Sequence, residues 1–196
     1  MSMPLRTELK QSAKDQLKSN FGNAILVVLI YGAIVYATLS CGILLIIGGP
    51  LYLGVVIFFI NLKRNNDPKI DDMFKGFNNF GNSLVTYLLM TLFILLWSLL
   101  LFIPGIIKAI SYSQAFYILN DNPEMSGLDA INKSKEMMKG HLGEYFVLSL
   151  SFIGWHLLSM LTCGILSIVY VGPYMSLTFA NYYDALKADF ENNPSV

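Results

Sequence analysis

Three stretches of the chain contain no acidic or basic residue: residues 19–62 (44 residues), 76–107 (32 residues) and 145–183 (39 residues). A helix needs about 20 apolar residues to cross the hydrocarbon core of a bilayer. The first and third runs are each long enough for two crossings. The middle run holds one crossing and the start of another, which residues 109–119 complete. In lipid every backbone N–H and C=O must be paired, which leaves helices or closed barrels as spanning structures. The runs are solidly apolar with no alternation of period two, so a barrel is excluded. Charged residues are 13% of the 196, against about 25% in soluble domains. The expected fold is all-α: a polytopic transmembrane helical bundle of about six transmembrane helices, in one integral membrane domain over residues 1–196. The first 20 residues are polar, the run behind them is far longer than a signal-peptide core, and no small-x-small cleavage site follows. The first helix is expected to stay as an anchor.

Short motifs recur in a fixed order, and internal repeats decide architecture. Asn20-Phe21-Gly22-Asn23 returns as Asn79-Phe80-Gly81-Asn82. Cys41-Gly42-Ile43-Leu44 returns as Cys163-Gly164-Ile165-Leu166, and Gly49-Pro50 as Gly172-Pro173. Asn-rich closers end at Pro68, Pro123 and Pro194. The unit is a surface helix, a crossing, a Gly/Pro break, a crossing and an Asn-rich stop. It occurs three times, at about residues 4–68, 69–123 and 126–194, giving three hairpin repeats, each preceded by a cytoplasmic amphipathic helix. In the first such helix Leu5, Leu9, Ala13 and Leu17 form one i+4 row, and Arg6, Lys10, Lys14 and Lys18 the next. That pattern suits a helix lying in the membrane interface or one packed on the protein's own cytoplasmic surface. Ile70, Met73, Phe74 and Phe77 have α-helical spacing. Ser126-Gly127-Leu128-Asp129 starts the third helix like a capping box, with Leu128, Ile131 and Met138 as its apolar face.

Hairpins put all three surface helices and both termini on one side. Of the 13 basic residues, 12 fall on that side, at 6–18, 63–75, 133–139 and 187, and the connections opposite are uncharged. Basic residues beside crossing ends mark the cytoplasmic face. The expected location is therefore a plasma membrane, multi-pass, with cytoplasmic N- and C-termini. Pro50, Pro104 and Pro173 are the structural breaks. Pro104 suits the first turn of a helix, where its missing N–H costs nothing. Pro50 and Pro173 fit either helix starts or kinks.

Lys108 is the thirteenth basic residue, and it lies inside an apolar segment. An ionisable group there marks a functional site by default, but four residues past Pro104 its long stem can also snorkel to the outer interface. Tyr112 and Gln114, with Ser111 and Ser113, offer a polar helix face that serves either a ligand path or interhelical hydrogen bonds. His156 stands on the fifth crossing, and a helix contact is the plainer reading of it. With Cys41 and Cys163 it makes no sufficient ligand set, so no metal is expected, and free packed thiols are favoured over a disulfide. His141, Glu144 and Asp184 lie at one membrane boundary, where ordinary solvation is the default. No phosphate loop, Ser/His/Asp order or HExxH occurs. No catalytic residue, cofactor or nucleic-acid partner is expected, and the chain is not read as an enzyme.

The segments Leu96–Leu100, Ile103–Lys108, Ser111-Tyr112-Ser113, Ser134–His141 and Leu150–Trp155 together resemble a bacterial integral-membrane family, the domain-of-unknown-function family numbered 975. The resemblance covers nearly the whole chain. It implies a multi-pass plasma-membrane protein, and it transfers no catalytic residues because the family brings no established activity. The expected function is a membrane interaction or envelope-homeostasis module whose partners are membrane lipids and a membrane or cytoplasmic protein. The alternative is a small transporter or channel with a polar path near Lys108, and the third reading a lipid-modifying membrane enzyme.

Overall fold

The computed structural model describes residues 4–39, 42–100, 102–162 and 164–192, and the described residues are helical with no strand among them. The order is α1 (Arg6–Ser19), α2 (Phe21–Leu39), α3 (Leu44–Lys63), a 3₁₀ helix (Ile70–Asn79), α4 (Phe80–Leu100), α5 (Phe102–Tyr112), α6 (Ala115–Asp121), α7 (Gly127–Met137), α8 (Leu142–Leu150), α9 (Ile153–Leu161), a π-helical turn (Ser167–Val171) and α10 (Gly172–Asn192). Cys41 and Cys163 lie outside the described residues, and with them the question of their pairing.

Among the described residues, four stretches are long and apolar enough to cross a membrane: Phe21–Thr38, Leu44–Lys63, Ile70–Leu99 and Leu142–Leu161. The other two expected crossings are built differently. The fourth is divided at Ser113–Gln114 into α5 and α6, and the sixth starts as the π-helical turn and continues into α10. The C-terminal half of α10 carries Asp184, Lys187, Asp189 and Glu191, which lowers its apolar content.

Packing concentrates at one end. The second half of α3, all of α6 and the middle of α10 are buried almost residue by residue, whereas α2, α4 and α8–α9 leave many large apolar side chains exposed, such as Leu95, Leu99 and Leu157. Exposed apolar side chains along apolar helices are what a lipid solvent favours. The surface segments wedge against the buried helices. Leu9, Ala13 and Leu17 of α1 are buried, and α1 packs chiefly on α10, joined by a hydrogen bond from Asn181 Nδ2 to Gln16 Oε1 of 3.0 Å. One face of α1 is thus packed on the protein itself.

The 3₁₀ helix lies backbone to backbone against α3. It runs antiparallel to α3, from Asn61 beside Asp72 (3.0 Å) to Pro50 beside Gly76. A Cβ on Gly54 would overlap the carbonyl oxygen of Met73, and one on Gly76 would overlap that of Pro50. No other residue type fits at these two places. The approach also corrects the expected apolar face. With three residues per turn the buried row is Met73 and Gly76, while Phe74 and Phe77 are exposed. Phe77 stacks on Phe80 at 6.5 Å instead.

Local signals act as expected elsewhere. Ser126 Oγ accepts the Asp129 N–H (3.2 Å) and caps α7. Asn65 and Asp67 take positive φ in the turn after α3, a conformation Asn and Asp tolerate. Gly42 and Gly164, equivalent glycines of the recurring tetrapeptide, both take positive φ as well. Leu128 is the exception on α7: it is exposed, while Ile131 and Met138 are buried.

Candidate functional site

The ends of three helices meet in a charged cluster. Arg64 follows the last residue of α3, Asp121 is the last residue of α6, and Asp184 and Lys187 lie on α10. The Arg64 guanidinium donates through Nη1 and Nη2 to both oxygens of Asp121 (2.9 and 3.2 Å). It also reaches Asp184 through Nη2 (2.7 Å) and Nε (3.3 Å). Lys63 pairs with Asp184, and Lys187 Nζ donates to Asp121 Oδ2 at 2.6 Å. The Tyr183 hydroxyl donates to the same oxygen at 3.0 Å, its ring stacked on Tyr117 at 5.2 Å.

Asp121 is the inner member, its side chain only 7% exposed. Burial alone pushes its carboxyl up, but hydrogen bonds from Arg64 and Lys187 outweigh that and hold it at about 2. Asp184 is held low in the same way, burial being outweighed by Arg64 and Lys63. Hydrogen bonds to Asp184 and Asp121 raise Arg64 above the ordinary guanidinium range. Both carboxylates are thus favoured in the charged form and held by cationic partners. The ion pairs tie the three helix ends together.

A second group adjoins it. His141 Nδ1 is 3.1 Å from Glu144 and its Nε2 is 3.5 Å from Asp189, while the Tyr182 hydroxyl donates to the His141 carbonyl at 3.3 Å. His141 and Glu144 do come together, but Asp184 belongs to the Arg64 cluster. Among the described residues no three His, Cys, Asp or Glu side chains are grouped to hold a metal ion.

Of the residues singled out in the sequence, Lys108 and Tyr112 stand one turn apart on α5, Gln114 at the break after it and His156 on α9. Lys108 is half-buried, with its ammonium 5.0 Å from the centre of the Trp97 ring across the α4–α5 hairpin, a cation–π geometry. Tyr112 is buried with its ring 6.1 Å from Phe93. Gln114 is buried at the break between α5 and α6. There Ser134 of α7 accepts the Gln114 N–H (3.2 Å) and donates to the Ser111 carbonyl (2.8 Å), satisfying the interrupted backbone. Gln114 Nε2 donates to Ser113 Oγ (2.7 Å), and its buried Oε1 has no partner. His156 is exposed on α9. Pro50 sits inside α3, Pro104 in the first turn of α5 and Pro173 in the first turn of α10.

The Arg64–Asp121–Asp184 cluster was not legible in the sequence as a site. Its one signal is that charged residues stand at the end of each expected second crossing. Long helices apolar enough to span a bilayer, with no strand among the described residues, mark the class: a helical membrane protein. Within it, the chain belongs to the family described as "protein of unknown function (DUF975)", whose model matches residues 3–111 and 99–189. No curated protein and no solved structure matches the chain.

Proposed function

We propose that the chain is a six-crossing protein of the bacterial plasma membrane, with both termini in the cytoplasm, that works as a non-enzymatic interaction or envelope-homeostasis module. The supporting observation is how the three proposed hairpins join. Arg64, Asp121 and Asp184 come one from each, so the clamp ties the ends of all three returning helices. The surface segments extend the pattern: the 3₁₀ helix of the second unit packs on α3 of the first, α7 of the third on α6 of the second, and α1 of the first on α10 of the third. Each unit thus rests on the one before it and the ring closes on itself. The charged groups hold the scaffold together, and the outward faces of α1 and α7, with Leu128, Lys135 and Lys139 exposed, are left for lipid or protein partners.

One observation favours the transporter reading instead. The crossing that carries Lys108 is broken beside a buried, unpartnered Gln114 oxygen, and broken helices line substrate sites in many transporters. Single cysteines at positions 106, 108 and 114, in a protein lacking Cys41 and Cys163, separate the two. A closed module leaves position 114 unreactive to membrane-impermeant thiol reagents from either side. Labelling at 108 and 114 with none at 106 means an aqueous path and overturns the module.

A further inference from the structure

A groove of about 570 Å³ lies between the start of α1, residues Gly143 to Leu148 of α8 and Tyr182 of α10. That volume is in the range of small-ligand sites, about 300–1,000 Å³. Its floor is buried: Leu9, Leu148 and Tyr182 are 7%, 1% and 1% exposed. Its rim is open, with Leu5 at 68% and Val147 at 47%. Two charged side chains, Arg6 and Glu144, line it as well.

Three features bear on the occupant. First, α8 belongs to a stretch able to cross a membrane, and the groove's apolar wall continues into Phe146 and Leu150, both exposed on the same helix. The groove thus opens sideways onto the surface that hydrocarbon covers. Second, Arg6 begins the basic i+4 row of α1, and the next member lies along the same seam: Lys10 donates to the Ser151 carbonyl at 3.1 Å and sits 4.1 Å over the Phe152 ring. Lys10 is thereby occupied, and Arg6 is the member of the row that lines the groove. Third, Glu144 is engaged with His141 at 3.1 Å, so the carboxylate on the rim is already paired.

We infer that this groove binds one glycerophospholipid, with the lipid phosphate on the Arg6 guanidinium and an acyl chain between Leu5 and Leu9 of α1 and Val147 and Leu148 of α8. Arginine matches phosphate oxygens with paired donors, and the apolar walls give the chain a surface that excludes water. The bound lipid fills the seam between the first surface helix and the fifth crossing, and so sets how firmly α1 stays docked.

The inference rests on the membrane reading given above, and its test separates the two. Purified, delipidated protein is titrated by native mass spectrometry with phosphatidylglycerol and with a diacylglycerol of the same chains. One phosphatidylglycerol is expected per chain, with the diacylglycerol at least tenfold weaker. Arg6→Gln is expected to weaken the phospholipid at least tenfold and leave the diacylglycerol unchanged. Leu5→Trp, on an exposed rim position that folding does not depend on, fills the groove and weakens both. Absence of a one-to-one phospholipid complex, equal binding of the two lipids, or unchanged binding in Leu5→Trp overturns the groove assignment. Carbonate extraction of the same protein from cell membranes reports on embedding alone. Protein that resists extraction yet binds no lipid fails the groove and not the membrane reading.

Discussion

Replacing Asp121 by Asn keeps the side chain's shape and removes its charge at the centre of the clamp. The carboxyl lies at about 2 in the folded protein against 3.8 for an unperturbed aspartate. At about 1.36 kcal/mol per pH unit, that difference contributes roughly 2 kcal/mol of stability in the charged form. The folded value lies below the unfolded one, so the contribution is fully present above pH 3.8 and is lost as pH falls through about 2. Asp121→Asn should therefore melt on the order of 5 °C below the parent at pH 7, taking about 2–4 °C per kcal/mol for a chain of this size. Thermal unfolding in mild detergent, followed by Trp97 and Trp155 fluorescence from pH 7 down to pH 2.5, measures it. The gap between parent and variant should hold nearly constant to about pH 4 and then close. Taking the gap cancels the other carboxylates, which titrate in both proteins. A gap that persists unchanged at pH 2.5, or none at pH 7, would refute the account of Asp121 as a charge held low by Arg64 and Lys187.

Other substitutions probe the packing. Gly54→Ala puts a methyl group into the Met73 carbonyl and should cost about 1–3 kcal/mol by overpacking, seen as a lower melting temperature, whereas Gly22→Ala, with open space around it, should not. Ser134→Ala strips the Ser111 carbonyl and the Gln114 N–H of their partner at the helix break. The expected loss is about 1–3 kcal/mol, with faster amide exchange confined to residues 111–115. Gln114→Met removes the buried oxygen that has no partner and should leave stability unchanged or raised. A drop of several degrees in melting temperature would show that the oxygen is engaged.

The helical class is legible in the chain because it follows from local chemistry: an uncharged run longer than a bilayer has few ways to satisfy its backbone. The same holds for the Ser126 cap and for the Asn65 and Asp67 turn, where a side chain a few residues away or the residue's own φ preference decides. The 3₁₀ helix was not legible. The spacing of Ile70, Met73, Phe74 and Phe77 fits an α-helix, and the tighter winding goes with the contacts of Gly76 with Pro50 and of Met73 with Gly54, partners far outside the segment. Lys108 stood out as an ionisable group in an apolar segment, but its partner depends on how α5 is rotated against α4, and Trp97 supplies an aromatic face.

Sequence by itself determined the apolar helices, their approximate ends and the family to which the chain belongs. Tertiary structure alone decided which charges meet. Arg64, Asp121 and Asp184 are separated by more than fifty residues at each step. A carboxylate at the end of a hydrophobic helix reads as an ordinary boundary residue until another helix end brings a guanidinium to it. Helix formation is set within a few residues, whereas an ion pair is set by the packing of the helices that carry it.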